Sequence, residues 1–146
     1  MYVNNAGEQA TAEQVHALAV RAGLKAAREA KPTPMVVTQR VNPFDDASEV
    51  VKQWSVSEGV CGFAWVVISG NTAFGRWVRK HHWGDDTSRM LHEQEGGRWS
   101  KGYPSGYSWW VWAGGQSYDR KRAYAHAFAS TLNDFGIEAT VGSRMD

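Results

Sequence analysis

The sequence predicts an α+β domain whose residues from about 59 to 142 run strand, helix, strand, strand, helix, strand, and three observations carry that order. "VCGFAWVVIS" is strand-length and apolar on both faces, and "NTAFGRWVRKHHW" follows it with Phe74, Trp77, Val78 and His81 recurring at helical spacing after a cap at Asn71 or Thr72. "RWSKG" and "YSWWVWA" flank Pro104-Ser105-Gly106 as a hairpin. After Gly114-Gly115, Ser117 caps a second helix with an inner face of Tyr124, Phe128, Leu132 or Thr131, and Phe135; Gly136 ends it and "IEATV" is the last strand. This is the split βαβ, or ferredoxin-like, order, an antiparallel four-stranded sheet with both helices on one face. Phe74, Val78, Phe128 and Leu132 are expected between helices and sheet. The two most aromatic strands, "CGFAWVVI" and "YSWWVWA", are expected side by side at the sheet centre. A period of two then makes the face opposite the helices unusually aromatic.

Residues 1–58 add a helix and a strand packed on that unit, so that 1–146 is one domain. Thr11-Ala12-Glu13-Gln14 has the form of a capping box, and Val15, Leu18, Ala19 and Ala22 keep helical spacing until Lys31-Pro32 and Pro34 end the helix, which places it at about 12–30. Arg21, Lys25 and Arg28 form a basic stripe of the kind a solvated face carries. "PMVVTQRVNP" reads as a strand near 35–41. "FDDASEVVKQWSVSEG" is polar without a sustained period and reads as loop, with a short helical turn after Asp46. Residues 1–58 are expected to cover part of the aromatic face.

Composition narrows the function classes. The chain has 146 residues, 42% hydrophobic, with a formal charge of +1, which excludes a protein that coats polyanions by bulk electrostatics and leaves only a local basic patch. The single cysteine, Cys61, lies in an apolar run and reads as a buried thiol, supplying neither a disulfide nor a zinc cluster. The start "MYVNNAGEQA" lacks a secretory pattern, and no apolar run approaches the roughly 20 residues of a membrane span, so a cytoplasmic protein is expected. Eight tryptophans, concentrated between Trp83 and Trp112, are the unusual count.

Two segments interleave basic and aromatic residues as single-strand binders do. "GRWVRKHHWG" offers Arg76, Trp77, Arg79, Lys80 and Trp83, and "GRWSKGYPSGYSWW" offers Arg98, Trp99, Lys101 and Tyr103. An amphipathic helix with a solvated face, followed by a hairpin, gives the same pattern without a ligand. A third candidate is "AGGQSYDRKR". There Gly115 and Ser117 precede a helix start carrying Arg120, Lys121 and Arg122, cations placed against the positive end of the helix dipole, which points to a bound phosphate or acidic surface. Neutralisation of the cluster by Asp119 and nearby carboxylates is the competing account. His81, His82, Asp85, Asp86, His92 and Glu93 are close in sequence but have no recognised ligand spacing, so neither metal nor cofactor is expected. Cys61 lacks the exposure and positive neighbours of a catalytic thiol, and Ser117 and His126 read as a cap and a helix-surface residue.

Gly62-Phe63-Ala64-Trp65-Val66-Val67 resembles the glycine-aromatic-small-aromatic-aliphatic strand of RNA-recognition motifs, a family that stacks bases on the aromatics of its two central strands. In that family the pattern falls on the third strand, starts with Arg or Lys and closes with an aromatic. Here it falls on the first strand of the unit, with Cys61 and Ile68 at those positions. "GQSYDRKRAYAHAFASTLNDFGIEATVGSRMD", with "PMVV" and "GVCGFAWVVI", resembles small uncharacterised proteins of tailed bacteriophages over about residues 34–146. That resemblance implies an accessory protein of the host cytoplasm and carries over no catalytic residue. The expectation is therefore a non-enzymatic protein that binds nucleic acid or a phosphate-bearing ligand. The alternative is a module that binds a host or virion protein through the aromatic face.

Overall fold

A computed structural model describes residues 1–82, 94–102 and 105–146. Among the described residues, three helices accompany eight strands, which pair in antiparallel sheets. The principal sheet is built from β5 (Gly62–Ile68), β6 (Gly97–Lys101), β7 (Tyr107–Val111) and β8 (Ala139–Met145) in the order β6-β7-β5-β8, so the two aromatic strands are its central pair. Register sets Trp65 opposite Trp110 and Val66 opposite Trp109 across that pair. On the outer strands Trp65 faces Gly142 and Arg98 faces Trp110.

The helices form one layer. α1 (Ala12–Glu29) carries the capping box, with Gln14 N–H donating to Thr11 Oγ1 at 3.2 Å and Thr11 N–H donating to Gln14 Oε1 at 2.9 Å. In α2 (Ala73–His82) the Thr72 hydroxyl accepts from Gly75 N–H, as the sequence anticipates. α3 (Tyr118–Asp134) starts at Ser117, whose hydroxyl accepts from Arg120 N–H. α3 lies on the sheet and α1 packs along α3, approaching so closely at Gly23 that a β-carbon there would run into the Tyr124 ring.

The core fills the space between these layers. Alternation along β5 sends Ala64, Val66 and Ile68 inward, where they meet Trp109, Trp99, Phe128 and Leu132; Phe74 and Val78 of α2 are buried in the same cluster. Burying a large aromatic side chain of this kind stabilises by roughly 1.5–3 kcal/mol. All four core residues named from the sequence are in place.

Residues 1–58 depart from expectation. A short pair, β1 (Tyr2–Val3) with β2 (Gln9–Ala10), precedes α1, and Tyr2 packs edge-on against Phe74. The segment read as loop contains β4 (Val50–Val56), paired along its length with β3 (Met35–Arg40). β4 carries no alternating apolar face because every residue of it but Val56 is solvent-exposed, so the signal sought in the sequence was never required. The expected covering is also corrected. α1 joins the helix layer, and no described element packs across the outer sheet face. Among the described residues, no helix is long and apolar enough to cross a membrane.

Candidate functional site

The outer face of the sheet follows from the same alternation. Phe63, Trp65 and Val67 of β5 and Trp110 of β7 point away from the helices and are half-buried, with Arg98 and Arg144 exposed on the strands beside them. The Trp65 and Trp110 rings stack at 5.5 Å with an interplanar angle of 5°, and Phe63 lies 5.4 Å from Trp110. Trp65 lies across β8 above Gly142, where any β-carbon would collide with indole Nε1 and Cε2. Glycine at 142 thus leaves room for the indole to lie over the strand. Stacking of this kind adds about 0.5–1.5 kcal/mol to area burial.

Two cations converge on the far end of this cluster. Lys121 Nζ is 5.2 Å and Arg144 Cζ is 5.3 Å from the Phe63 ring centroid. Lys121 springs from α3 and is only 6% exposed. Burial pushes its ammonium below the usual lysine range, opposed by the nearby Cys61. Cys61 itself is exposed, contrary to the buried thiol expected, because it shares the outward parity of Phe63 and Trp65. A bridge to Ser117 holds it there.

The residues of "AGGQSYDRKR" do not act together. Arg120 is anchored structurally: it donates to both Glu58 carboxylate oxygens, at 2.6 and 3.3 Å, and to the backbone oxygens of Ala27 and Arg28 at the end of α1. Its hydrogen bond and charge hold the Glu58 carboxyl below the usual range. Ser117 donates to Glu58 O, Asp119 accepts from Thr33 N–H, and these bonds tie the base of the β3–β4 hairpin to the start of α3. Arg122 lies over the Tyr118 ring and Gly115 is exposed with φ of +61°. Glutamine in place of Arg120, Lys121 and Arg122 is therefore no neutral change; it breaks the Glu58 pair.

The aromatic and basic segments divide between the two sides of the sheet. Arg76, Arg79 and Lys80 are exposed on α2, in the helix layer, with Arg76 donating to Asn71 O. Trp99 is 3% exposed, so it offers no free ring to a ligand as the sequence suggested, while Trp77 is half-buried against Phe74 and His16. Lys101 is exposed at the end of β6. Of the set only Arg98 borders the outer aromatic face, while Trp83 and Tyr103 lie outside the described residues.

Sequence reasoning also missed His16. It is 4% exposed, accepts the Trp99 Nε1–H at 3.0 Å on Nε2, and so carries its own proton on Nδ1, which points toward Glu95 Oε2 at 3.8 Å. Burial, reinforced by His82, lowers its pKa from 6.5 to about 3, and burial raises that of Glu95. Position on the apolar side of α1 was the available signal. Among the described residues no cluster of histidine, cysteine and carboxylate side chains has the geometry of a metal site. Comparison with known proteins returned no matching family model, no matching curated protein and no matching solved structure.

Proposed function

We propose that the protein binds single-stranded nucleic acid, or a smaller phosphate-bearing ligand, on the outer face of its sheet, without catalysing a reaction. The supporting observation is the outward Trp65–Trp110 stack beside Phe63, bordered by Lys121, Arg144 and Arg98. Bases stack on such rings at roughly 1–3 kcal/mol each whatever their identity, and cations beside them meet the backbone phosphates. A +1 chain can do this locally without being basic overall. In this reading β5 to β8 with α2 and α3 form a ferredoxin-like unit, and the chain works as a phage accessory protein in the host cytoplasm.

The test is tryptophan fluorescence titrated with single-stranded DNA, RNA and mononucleotides over a range of salt. Affinity should fall steeply with salt, since each phosphate neutralised on a single strand contributes a slope of about −0.7. A second reading, a protein partner, is favoured by the β3–β4 hairpin, which exposes Val36, Phe44, Val51 and Trp54. An interface of that kind would hardly respond to salt. Absence of any salt-sensitive nucleic-acid binding removes the first reading.

A further inference from the structure

We infer that Lys121 and Arg144 are a paired anion site, receiving a phosphate group at the Phe63 end of the outer sheet face. The inference deepens the proposed function by locating the phosphate; it rests on that reading only for what carries the phosphate.

A lysine as enclosed as Lys121 is almost always paired. It also stands in the first turn of α3, where the helix dipole disfavours a cation. Yet neither the Lys121 ammonium nor the Arg144 guanidinium is ion-paired or hydrogen-bonded to a described residue. The surrounding acids are otherwise placed: Glu58 holds Arg120, Asp119 holds Thr33 N–H, and Asp146, whose N–H donates to Cys61 O, pairs with neither cation. What the two cations share is the Phe63 ring. The ring attracts each of them, but two positive groups on one ring repel each other, and the ring accepts no hydrogen bond of carboxylate strength. A tetrahedral oxyanion answers both problems. Its oxygens take the ammonium protons of Lys121 and the paired N–H groups of Arg144, and its charge reverses their repulsion. From this end the ring centroids step 5.4 Å to Trp110 and 5.5 Å on to Trp65, so a phosphate at Phe63 and a base over the tryptophans suit the two ends of one nucleotide unit.

Cys61 supplies a reporter, being the sole thiol, exposed, and near enough to Lys121 to affect its charge. The experiment measures the rate of Cys61 alkylation by a maleimide with inorganic phosphate, against chloride at equal ionic strength, for the wild type, Lys121→Met and Arg144→Gln. In parallel, oligothymidylate affinity is measured against salt for the same proteins. Methionine retains the buried stem of Lys121, and Arg144 is exposed, so both variants should melt no lower than the wild type. At phosphate ten times its dissociation constant, protection of the wild-type thiol should be about tenfold. Each variant should lose that protection, and each should reduce the oligothymidylate salt slope by about 0.7. Phosphate that protects no better than chloride overturns the anion pair. If the variants keep wild-type oligothymidylate affinity and slope, the pair also fails, while the nucleic-acid reading stands. If phosphate protects Cys61 but the wild type binds no oligonucleotide, the pair stands and the nucleic-acid reading fails.

Discussion

The two faces of the β5–β8 sheet use the same residue types for opposite ends. Inside, Trp99 and Trp109 pack edge-to-face at 5.3 Å, Trp109 stacks on Phe128, and the Trp99 N–H is satisfied by a histidine that stays neutral. Outside, Trp65 and Trp110 stack on one another, and the polar company is Arg98, Arg144 and Lys121. The inner rings are met by a neutral imidazole and the outer ones by cations. Tryptophan count alone therefore says little; the inner rings are packed in the core, while the outer ones lie beside cations.

If that division holds, disruption inside should be felt as stability. Phe128→Ala should cost about 3–5 kcal/mol of unfolding free energy in urea titrations, the range for deleting a core aromatic. The outer rings should keep their ligand affinity at temperatures where the variant remains folded.

Acid sharpens the contrast. Unfolded His16 takes up a proton below its ordinary pKa of 6.5, whereas folded His16 resists until about 3. Stability is thus full above pH 6.5 and is lost progressively toward pH 3, with a slope from this group of up to about 1.4 kcal/mol per pH unit. The raised carboxyl of Glu95 acts in the opposite sense near its own pKa. His16→Gln should flatten the fall of unfolding free energy between about pH 6.5 and about pH 4.5 relative to the wild type. An unchanged slope would mean that the histidine is solvated and the inner face is not closed.

Gly142→Val probes the boundary. The new side chain occupies the place of the Trp65 indole and forces it off β8. The ring can swing into water, so the cost should be about 1 kcal/mol, the low end for overpacking. Ligand affinity should nevertheless fall, because the stacking surface is lost. Smaller again is Glu58→Gln, which weakens the tie between the hairpin base and α3. It should lower the melting temperature slightly, more at low salt than at high, and leave ligand affinity as it was.

Much of the fold was legible in the sequence. Thr11-Ala12-Glu13-Gln14, Ser117 and Gly136 marked helix ends through local hydrogen bonding and backbone preference, which need no tertiary information. Strand-length apolar or aromatic runs bounded by clear turns placed "CGFAWVVI" and "YSWWVWA" correctly. β4 was missed because all of it but Val56 is exposed and polarity carries no period. The site was less legible. That Arg120 closes on Glu58, 62 positions away, and that Lys121 meets Phe63 across the sheet, depend on non-local contacts that no residue spacing announces. Trp99 looked like a surface aromatic because basic neighbours surround it in sequence, but its own ring is buried, and Trp77 is partly buried beside it in the helix layer.

On the proposed function, the outer tryptophans, and not the inner ones, meet the ligand. Its most direct measurement is the affinity of Trp65→Leu and Trp110→Leu for a single-stranded oligonucleotide at fixed salt, beside their melting temperatures. Each substitution should weaken binding by roughly 1–3 kcal/mol per lost stacking partner while melting stays close to the wild type. Wild-type affinity in both variants would contradict the account and place the ligand elsewhere on the molecule.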